Sequence, residues 1–291
     1  MVYFLQQLLN ALQLGSIYAL IALGYTMVYG ILKMINFAHG DLFMVGAFAT
    51  FVGAVVLGLP FVPTLVLSMV SVAGLGVLIE RLAYKPLRDA PRVSAIITAL
   101  GVGIFLENLV LAINPYPQSI PPLIPTLVWN VGGLSVSLLQ VLVIVLSFGL
   151  MLVLDFVVRR TMVGMAMRAI SWDSRVVPLM GVPLNLVISI TFAIGTSLGA
   201  AAGTMYSLAF PVIDPYKGSM VGWKAFISAV VGGIGNIRGA MLGGFILAGV
   251  EIFVAAYGQS SFRDFVAFGL LLVLLIFRPQ GILGKPQPVK V

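Results

Sequence analysis

The sequence predicts an all-α, polytopic integral membrane protein with eight to nine transmembrane helices. Of its 291 residues, 60% are hydrophobic and only 9% are charged, whereas soluble domains carry about 25% charged residues. The apolar runs are long and lack the alternation of membrane strands, so helices rather than a closed barrel must satisfy the backbone in lipid. Little of the chain is left for a soluble domain, and we expect residues 1–291 to form a single transmembrane domain.

Nine apolar runs are candidates for the spans, since a helix needs about 20 apolar residues to cross a hydrocarbon layer about 30 Å thick. In chain order they are residues 4–29, 42–59, 62–79, 93–113, 138–158, 184–210, 219–235, 240–257 and 265–277. The second and seventh runs adjoin the stretches 36–41 and 232–239, whose backbone could be broken or re-entrant. For that reason the prediction is eight to nine spans.

The basic residues predict the orientation, because Lys and Arg in short loops favour the cytoplasmic side. Most of them fall on one side of a nine-span arrangement: Lys33, Arg81, Lys85, Arg88, Arg92, Arg159, Arg160, Arg168, Arg175, Arg238, Arg278, Lys285 and Lys290. Only Lys217, Lys224 and Arg263 fall elsewhere. The net charge of +7 therefore indicates membrane topology rather than a nucleic-acid-binding surface. It predicts that the N-terminus lies outside and that the tail 278–291 lies in the cytoplasm.

The first run is expected to be a retained helix. Its first basic residue comes only at Lys33, so the run has no positive segment in front of it and no small-residue cleavage site of the secretory kind. The stretch 114–137 contains no Lys, Arg, Asp or Glu and carries five prolines that limit helix formation. We expect it to be a loop outside the cell.

The segment 159–183 is the longest hydrophilic insertion on the inside. Residues 165–177 of it can form a short amphipathic helix, with apolar positions between Arg168, Asp173 and Arg175. Such a helix either lies on the membrane surface or docks into a groove of a partner protein.

Asn36, His39 and Asp41 place an amide, the only histidine and a carboxylate within six residues between two apolar runs. They could be functional groups at a helix break, or an ordinary turn in which Asn36 or Asp41 caps a helix. A metal site is disfavoured because no second histidine exists and the chain has no cysteine.

Two glycine series have a spacing of four, which keeps small residues on one helix face. They are Gly195, Gly199 and Gly203 in the sixth run, and Gly235, Gly239 and Gly243 around the seventh and eighth. Such faces allow close helix packing within one subunit, or line a pathway that changes shape.

Lys224 and Glu251 are predicted to form an intramembrane ion pair. Lys224 lies 13 residues before Ile237 and Glu251 lies 14 residues after it. In an antiparallel helical hairpin turning there, both would lie about 20 Å from the turn. Each charge alone in lipid would cost about 2.5 to 3.5 kcal/mol, which pairing offsets in part.

Several stretches, in order along nearly the whole chain, resemble the LivH-type permeases of branched-chain amino-acid ABC importers. They are LGSIYAL at 14–20, GYTMVYG at 24–30, INFAHGD at 35–41, KAF at 224–226, GGIG at 232–235, GAMLGG at 239–244 and GILG at 281–284. The chain departs from the family pattern in the glycine-rich turn, where it has Asn236 and Arg238.

The resemblance implies a bacterial inner-membrane assembly and a set of site residues. Its members would be a second related permease, two cytoplasmic ATPase subunits, an extracytoplasmic substrate-binding protein and membrane lipid, with no nucleic acid and no cofactor. The family's Gly-x-x-x-Arg-Ala pattern falls on Gly164, Arg168 and Ala169, followed by Gly181, so this inside segment would receive the ATPase. Arg159, Arg160 and Asp173 belong to the same segment, and the candidate pathway residues are Asn36, His39, Asp41, Glu107, Gly232, Gly233 and Asn236.

We therefore expect a non-catalytic pore subunit, because no phosphate-binding loop of the Gly-x-x-x-x-Gly-Lys-Ser/Thr type occurs in the chain. One alternative keeps the machinery and changes the cargo to urea, short amides or other amino acids. Another is an ion-coupled secondary transporter or channel in which Glu107 and Glu251 hold protons or sodium. An intramembrane enzyme is disfavoured, since no nucleophile and base are evidently paired.

Overall fold

The computed structural model describes residues 1–88, 90–174 and 176–284, which form a bundle of helices with four short strands. The helices are α1 (Val2–Leu32), α2 (His39–Phe51), α3 (Phe61–Ile79), α4 (Arg92–Ile113), α5 (Leu138–Arg160), α6 (Met162–Trp172), α7 (Leu184–Ala209), α8 (Lys217–Gly232), α9 (Ile237–Tyr257) and α10 (Arg263–Phe277). The strands are β1 (Gln118–Ser119), β2 (Val128–Val131), β3 (Leu134–Ser137) and β4 (Val212–Ile213). Arg175, Lys285, Lys290 and the side chain of Arg92, used in the orientation argument, lie outside the described residues.

Eight helices of the described residues are long and apolar enough to cross a membrane. They are Val2–Leu32, His39–Val56, Phe61–Leu87, Val93–Ile113, Leu138–Arg160, Leu184–Ala209, Ile237–Tyr257 and Ser260–Phe277. The seventh predicted run also forms a helix, α8, but its 16 residues span only about 24 Å. The run ends early because Gly233, with φ +110°, leaves the helical conformation.

One end of the bundle, here named the Pro-rich end, is built from the loop between α4 and α5. Strand β1 of this loop pairs with β4, which follows α7, and β2 pairs with β3. Gln6 near the start of α1 joins the same end through hydrogen bonds with the backbone of Ser135 at 3.0 and 3.1 Å. The beginnings of α1 and α8 therefore lie at one end.

The opposite end, here named the Arg-rich end, contains α6, the α8–α9 turn and the segment after α10. Ile282 N donates to Val231 O at 2.9 Å, which attaches that segment to the end of α8. Helix α8 thus runs from one end of the bundle to the other despite its length. Residues 2 and 284 consequently lie at opposite ends.

The centre of the bundle is formed by α1 and α2, which contact each other and both pack on α7 and α8. Helix α1 is buried along most of its length and packs on α5, α7, α8 and α9. The peripheral helices α3, α4, α5 and α10 present rows of exposed apolar side chains, such as Val93, Ile97 and Ile104 on α4. Such rows suit contact with lipid or with another hydrophobic protein surface.

The first glycine series packs closely on α1 and α2. A larger side chain at Gly195 or Gly203 would collide with the backbone of those helices. A Cβ on Gly195 would lie 3.3 Å from the carbonyl oxygen of Gly24, and one on Gly203 would lie 2.9 Å from the amide nitrogen of Ala47. A Cβ on Gly199 would meet the ring of His39 at 3.3 Å. This series forms a close contact within the subunit.

The second glycine series closes the α8–α9 hairpin. A Cβ on Gly243 would lie 2.8 Å from the amide nitrogen of Gly232, and Gly239 faces the same glycine. Gly235 has φ +89° in the turn itself, a conformation that glycine adopts without strain.

The third run and the amphipathic helix α6 differ most from the predicted boundaries. The third run stays helical beyond residue 79, through a π-helical segment Glu80–Tyr84 and a 3-10 turn Lys85–Leu87. The amphipathic helix α6 begins three residues before the predicted start at 165, because Thr161 Oγ1 caps it by accepting from Gly164 N at 3.1 Å. It ends at Trp172, since Asp173 has extended backbone, and a 3-10 turn Val177–Met180 follows.

Candidate functional site

The backbone between α1 and α2 returns into the bundle. Lys33 ends α1 in the left-handed conformation with φ 54°, and its N–H donates to Tyr29 O at 2.9 Å. Helix α2 then starts at His39, beside Gly24 of α1. Gly24 lies eight residues before Leu32, so α2 begins about 12 Å inside the end of α1. The irregular backbone is tolerated at this depth because protein surrounds it.

His39 fills the space that two glycines leave free. Its ring is fully buried, contacts Gly24 of α1 and Gly199 of α7, and packs edge-on against Tyr25 with ring centroids 4.8 Å apart. Neither ring nitrogen has a hydrogen-bond partner among the described residues. No group of three or more His, Cys, Asp and Glu side chains in the described residues could hold a metal ion.

Asn36 supports the returning backbone rather than capping α2. Its Oδ1 accepts a hydrogen bond from Tyr84 Oη at 2.7 Å, and the side chain is 1% exposed. The residue at the N-cap of α2 is Ala38, with no side-chain hydrogen bond. Neither Asn36 nor Asp41 therefore acts as the cap that an ordinary turn would use.

Asp41 lies between α4 and α8, where two glycines make room for its carboxylate. A Cβ on Gly103 would contact Oδ2, and a Cβ on Gly218 would lie 2.8 Å from Oδ1. Glu107 follows Gly103 by four residues on the same face of α4, about 6 Å along the helix. The two carboxylates line one pocket, which has room for several water molecules, about 90 Å³.

Aromatic and apolar side chains complete this pocket, here named the acidic pocket. Phe37 and Trp223 stand 5.5 Å apart between ring centroids, and Tyr25 lies beside them. Leu100 and Ile104 form the α4 side and are largely exposed. The remaining lining residues are Gly40, Gly218, Ser219 and Gly222. The pocket therefore opens on the flank of the bundle between α4 and α8.

The structure brings Lys224 and Glu251 together, with Nζ 3.2 Å from Oε2. Glu251 is 1% exposed and also accepts a hydrogen bond from Tyr18 Oη at 3.2 Å. Lys224 contacts a second carboxylate as well, Asp264 of α10, at 2.8 Å. The pair predicted from the hairpin spacing is thus part of a cluster joining α1, α8, α9 and α10. Glu251 is engaged by this cluster, whereas Glu107 takes part in no ion pair among the described residues.

A second buried charge cluster lies at the Arg-rich end and was missed from the sequence. Glu80 is 1% exposed, forms an ion pair with Arg88 and accepts from Ser189 Oγ at 2.7 Å. Arg88 also donates to Asn185 Oδ1 at 2.6 Å, which ties the end of α3 to the start of α7. Glu80 ends an apolar run and is followed by basic residues, so it resembled a loop residue.

Helix α6 packs one face against the bundle and leaves the other face exposed. Gly164, Met167 and Ile170 are buried, and Gly164 has no room for a Cβ because the carbonyl groups of Val157 and Val158 lie against it. Arg168 donates to the Val158 carbonyl oxygen, while Ala169 is half-buried.

The outer face of this segment exposes large apolar side chains although it belongs to no candidate span. They are Met165 (56% exposed), Trp172 (85%), Leu179 (86%) and Met180 (78%). Gly181 ends the 3-10 turn with φ +81°, and Asp173 Oδ1 accepts from Val176 N at 3.3 Å. Arg159 pairs with Asp155 at 2.7 Å, and Arg160 is exposed. We name this face the α6 surface.

The α8–α9 turn contains Gly232, Gly233 and Asn236. It lies at the end of α8, whereas the acidic pocket is lined by residues near the start of that helix. Asn236 Oδ1 caps α9 by accepting from Gly239 N at 3.2 Å, and its Nδ2 donates to Leu283 O at 2.7 Å. A Cβ on Gly233 would meet the backbone of Gly284 at 2.5 Å. The contacts of these candidate pathway residues stabilise the turn and attach it to the segment after α10.

Comparison with known proteins matches residues 7–275 to a family model described as the permease component of branched-chain amino acid transport systems. The chain is 43% identical to the high-affinity branched-chain amino acid transport system permease protein BraD of Pseudomonas aeruginosa, covering 99% of this chain and 98% of BraD. It is 40% identical to the corresponding permease protein LivH of Escherichia coli, again over 99% of this chain and 98% of the relative.

Among solved structures, PsaBC from Streptococcus pneumoniae in complex with Fab has a similar fold. Its matched chain superposes with a TM-score of 0.50, covering 96% of this chain and 93% of that chain. At 13% sequence identity the likeness concerns the fold alone.

Proposed function

This chain belongs to the family of permease components of branched-chain amino acid transport systems, and from that membership we propose that it forms half of the translocation pathway of an ATP-driven importer for branched-chain amino acids. It is a multi-pass membrane protein. The observation that carries the proposal is the α6 surface, since a permease that hydrolyses no ATP needs a place where another subunit delivers the energy.

The α6 surface fits an ATPase subunit. Four large apolar side chains stand exposed on it at the Arg-rich end, with Arg159 and Arg160 beside them. Exposed apolar clusters rimmed by polar residues are typical of protein interfaces. Helix α6 also contacts α1, α5 and α7. A displacement of α6 would therefore reach the central helices directly.

The acidic pocket marks the side of the chain that would face the second permease. It opens on the flank of the bundle and is covered by no described part of this chain. A carboxylate such as Glu107 is costly in contact with lipid and normally faces protein or a water-filled cavity. A second, related permease on this flank would enclose the pocket between the two subunits.

The distribution of basic residues supports an arrangement with the Arg-rich end in the cytoplasm of a bacterial inner membrane. Lys33, Arg88, Arg159 and Arg238 lie at that end, whereas Lys217 and Arg263 lie towards the Pro-rich end. Positive charge in short loops favours the cytoplasmic side. The Pro-rich end would then face the extracytoplasmic binding protein that delivers the substrate.

The proposal is tested by reconstituting the complete importer in proteoliposomes and measuring uptake of radiolabelled leucine, urea and a neutral polar amino acid. We expect leucine uptake that requires both ATP on the ATPase side and the binding protein on the other. Controls omit ATP, omit the binding protein, or replace ATP by a sodium or proton gradient.

Each other outcome identifies a specific rival. Uptake driven by an ion gradient without ATP would favour an ion-coupled transporter, for which Glu107, unlike Glu251, takes part in no ion pair among the described residues. Uptake of urea or the polar amino acid in preference to leucine would keep the importer and change its cargo.

A further inference from the structure

We propose that the acidic pocket binds a primary ammonium group attached to an apolar body, and that in the importer this is the α-ammonium of the transported amino acid. The inference rests on the proposed function for the identity of the cargo. The ammonium site itself follows from the geometry of Asp41, Glu107 and the aromatic side chains around them.

The two carboxylates converge from different helices. Asp41 belongs to the first turn of α2 and reaches α4 at Gly103, while Glu107 lies about one turn further along α4 and lines the same pocket. Glycines at 40, 103, 218 and 222 keep the surrounding backbones close without filling the pocket. A Cβ on Gly40, for example, would lie 2.7 Å from Gly222 Cα.

The pocket holds an acceptor without a partner. Asp41 lines the pocket and is 6% exposed, and its Oδ1, beside Gly218, makes no hydrogen bond within the described residues. Neither Asp41 nor Glu107 has a basic group within ion-pair distance in the part of the chain that the structure describes. A buried carboxylate without a partner is costly unless it takes up a proton, and a cation bound from outside the chain would supply the missing partner.

The rest of the lining selects an organic ammonium over a bare metal ion. Trp223, Phe37 and Tyr25 line the pocket with aromatic side chains, a class of residue whose ring faces attract ammonium groups. Leu100 and Ile104 supply apolar surface for a branched aliphatic side chain. Two carboxylates can accept two of the three N–H bonds that an ammonium group offers.

The absence of cysteine from the chain allows a direct test in the full importer. Ser219 lies at the mouth of the pocket and is exposed, so Ser219→Cys can be labelled there with a maleimide and followed as this subunit on a gel. The rate of labelling is measured with added leucine, 3-methylbutylamine (leucine without its carboxylate), 4-methylpentanoate (leucine without its ammonium) or sodium chloride. Ser261→Cys, exposed after α9 and outside the pocket, is the matched control.

We expect leucine and 3-methylbutylamine to slow labelling at Ser219→Cys, and 4-methylpentanoate and sodium chloride not to slow it. Glu107→Gln should raise the half-protecting concentration of the amine about tenfold, the difference between a charge-assisted and a neutral hydrogen bond. Glu107 is chosen because it is half-buried and unpaired, whereas Asp41 is packed between backbones. Asp214→Asn removes a nearby carboxylate that does not line the pocket and should leave that concentration unchanged.

Protection by the acid as strong as by the amine, no protection by the amine, or no effect of Glu107→Gln overturns the inference. Protection by sodium chloride alone assigns the pocket to an inorganic cation and overturns it as well. The same preparation is assayed for ATP-driven leucine uptake. Leucine uptake without protection of Ser219→Cys by the amine would disprove the ammonium site and leave the proposed function intact. Protection by the amine without leucine uptake would support the site and disprove the proposed cargo.

Discussion

Lys224 shows how single charged side chains shape this membrane protein. It is buried, bridges Glu251 and Asp264, and thereby links α8 to both α9 and α10. Its pairing with Glu251 could be predicted because both lie in one hairpin, where sequence distance from the turn fixes depth. The contact of Lys224 with Asp264 could not be predicted, since the side of the hairpin against which α10 packs depends on helix rotation and crossing angle. Glu80 escaped prediction for a related reason: only the tertiary contact with Ser189 shows that it is buried.

Replacing Lys224 by methionine is expected to destabilise the protein by about 3 to 5 kcal/mol, because a buried Glu251 then loses its counter-charge. The double change Lys224→Met with Glu251→Gln should recover much of that loss. Thermal unfolding of the purified protein measures both. Lys217→Met is the matched control, since its ion pair with Asp214 at 3.4 Å is partly exposed and should contribute no more than about 1 kcal/mol. A double variant no more stable than the single one would contradict this account.

The helices themselves followed the apolar runs closely, with the exceptions lying where the backbone is irregular. Residues 34–38 return into the bundle because glycines on α1, α7 and α8 leave room for His39 and the start of α2. This arrangement depends on how three helices pack together. It could not be predicted from a local sequence pattern for that reason. Helix α6 was predicted as amphipathic, but its limits are set by the Thr161 cap and by the extended backbone of Asp173.

A cysteine on the exposed face of α6 is expected to crosslink to the ATPase subunit in the assembled importer. Trp172→Cys tests this directly, because Trp172 is 85% exposed on the α6 surface. Met167→Cys is the control, since Met167 is 2% exposed on the opposite face of the same helix. Crosslinking with a short bifunctional reagent and detection of the joined subunits gives the readout. Free reaction of Trp172→Cys with soluble reagents in the full complex, without crosslinks, would place the ATPase elsewhere.

Across the molecule, the two ends of the bundle differ in charge as well as in structure. The Pro-rich end consists of short strands and proline-containing loop, whereas the Arg-rich end gathers the basic loops and the α6 surface. Membrane character and family could be predicted because composition and motifs extend along nearly the whole chain. The number of spans could not be fixed, since α8, with 16 residues, runs between the ends although it is shorter than a usual span.

The orientation predicts opposite accessibility for single cysteines placed at the two ends. In intact cells, Ser135→Cys at the Pro-rich end should react with a membrane-impermeant maleimide, because Ser135 is exposed on β3. Ser174→Cys, exposed after α6, should react only after the membrane is opened. The chain has no native cysteine, so each variant reports one position. The reverse pattern would invert the orientation and place the α6 surface outside the cell.

The attachment of residues 281–284 to the α8–α9 turn has a consequence for biogenesis. The carbonyl groups of Val231 and Gly232 at the end of α8 receive their N–H partners from Ile282 and Leu283, about fifty residues later in the chain. During translation these two hydrogen bonds cannot form until α10 and the segment after it have been synthesised, and until then water is the available partner of the two carbonyl groups. Final closure of the Arg-rich end is therefore a late event in the synthesis of the chain.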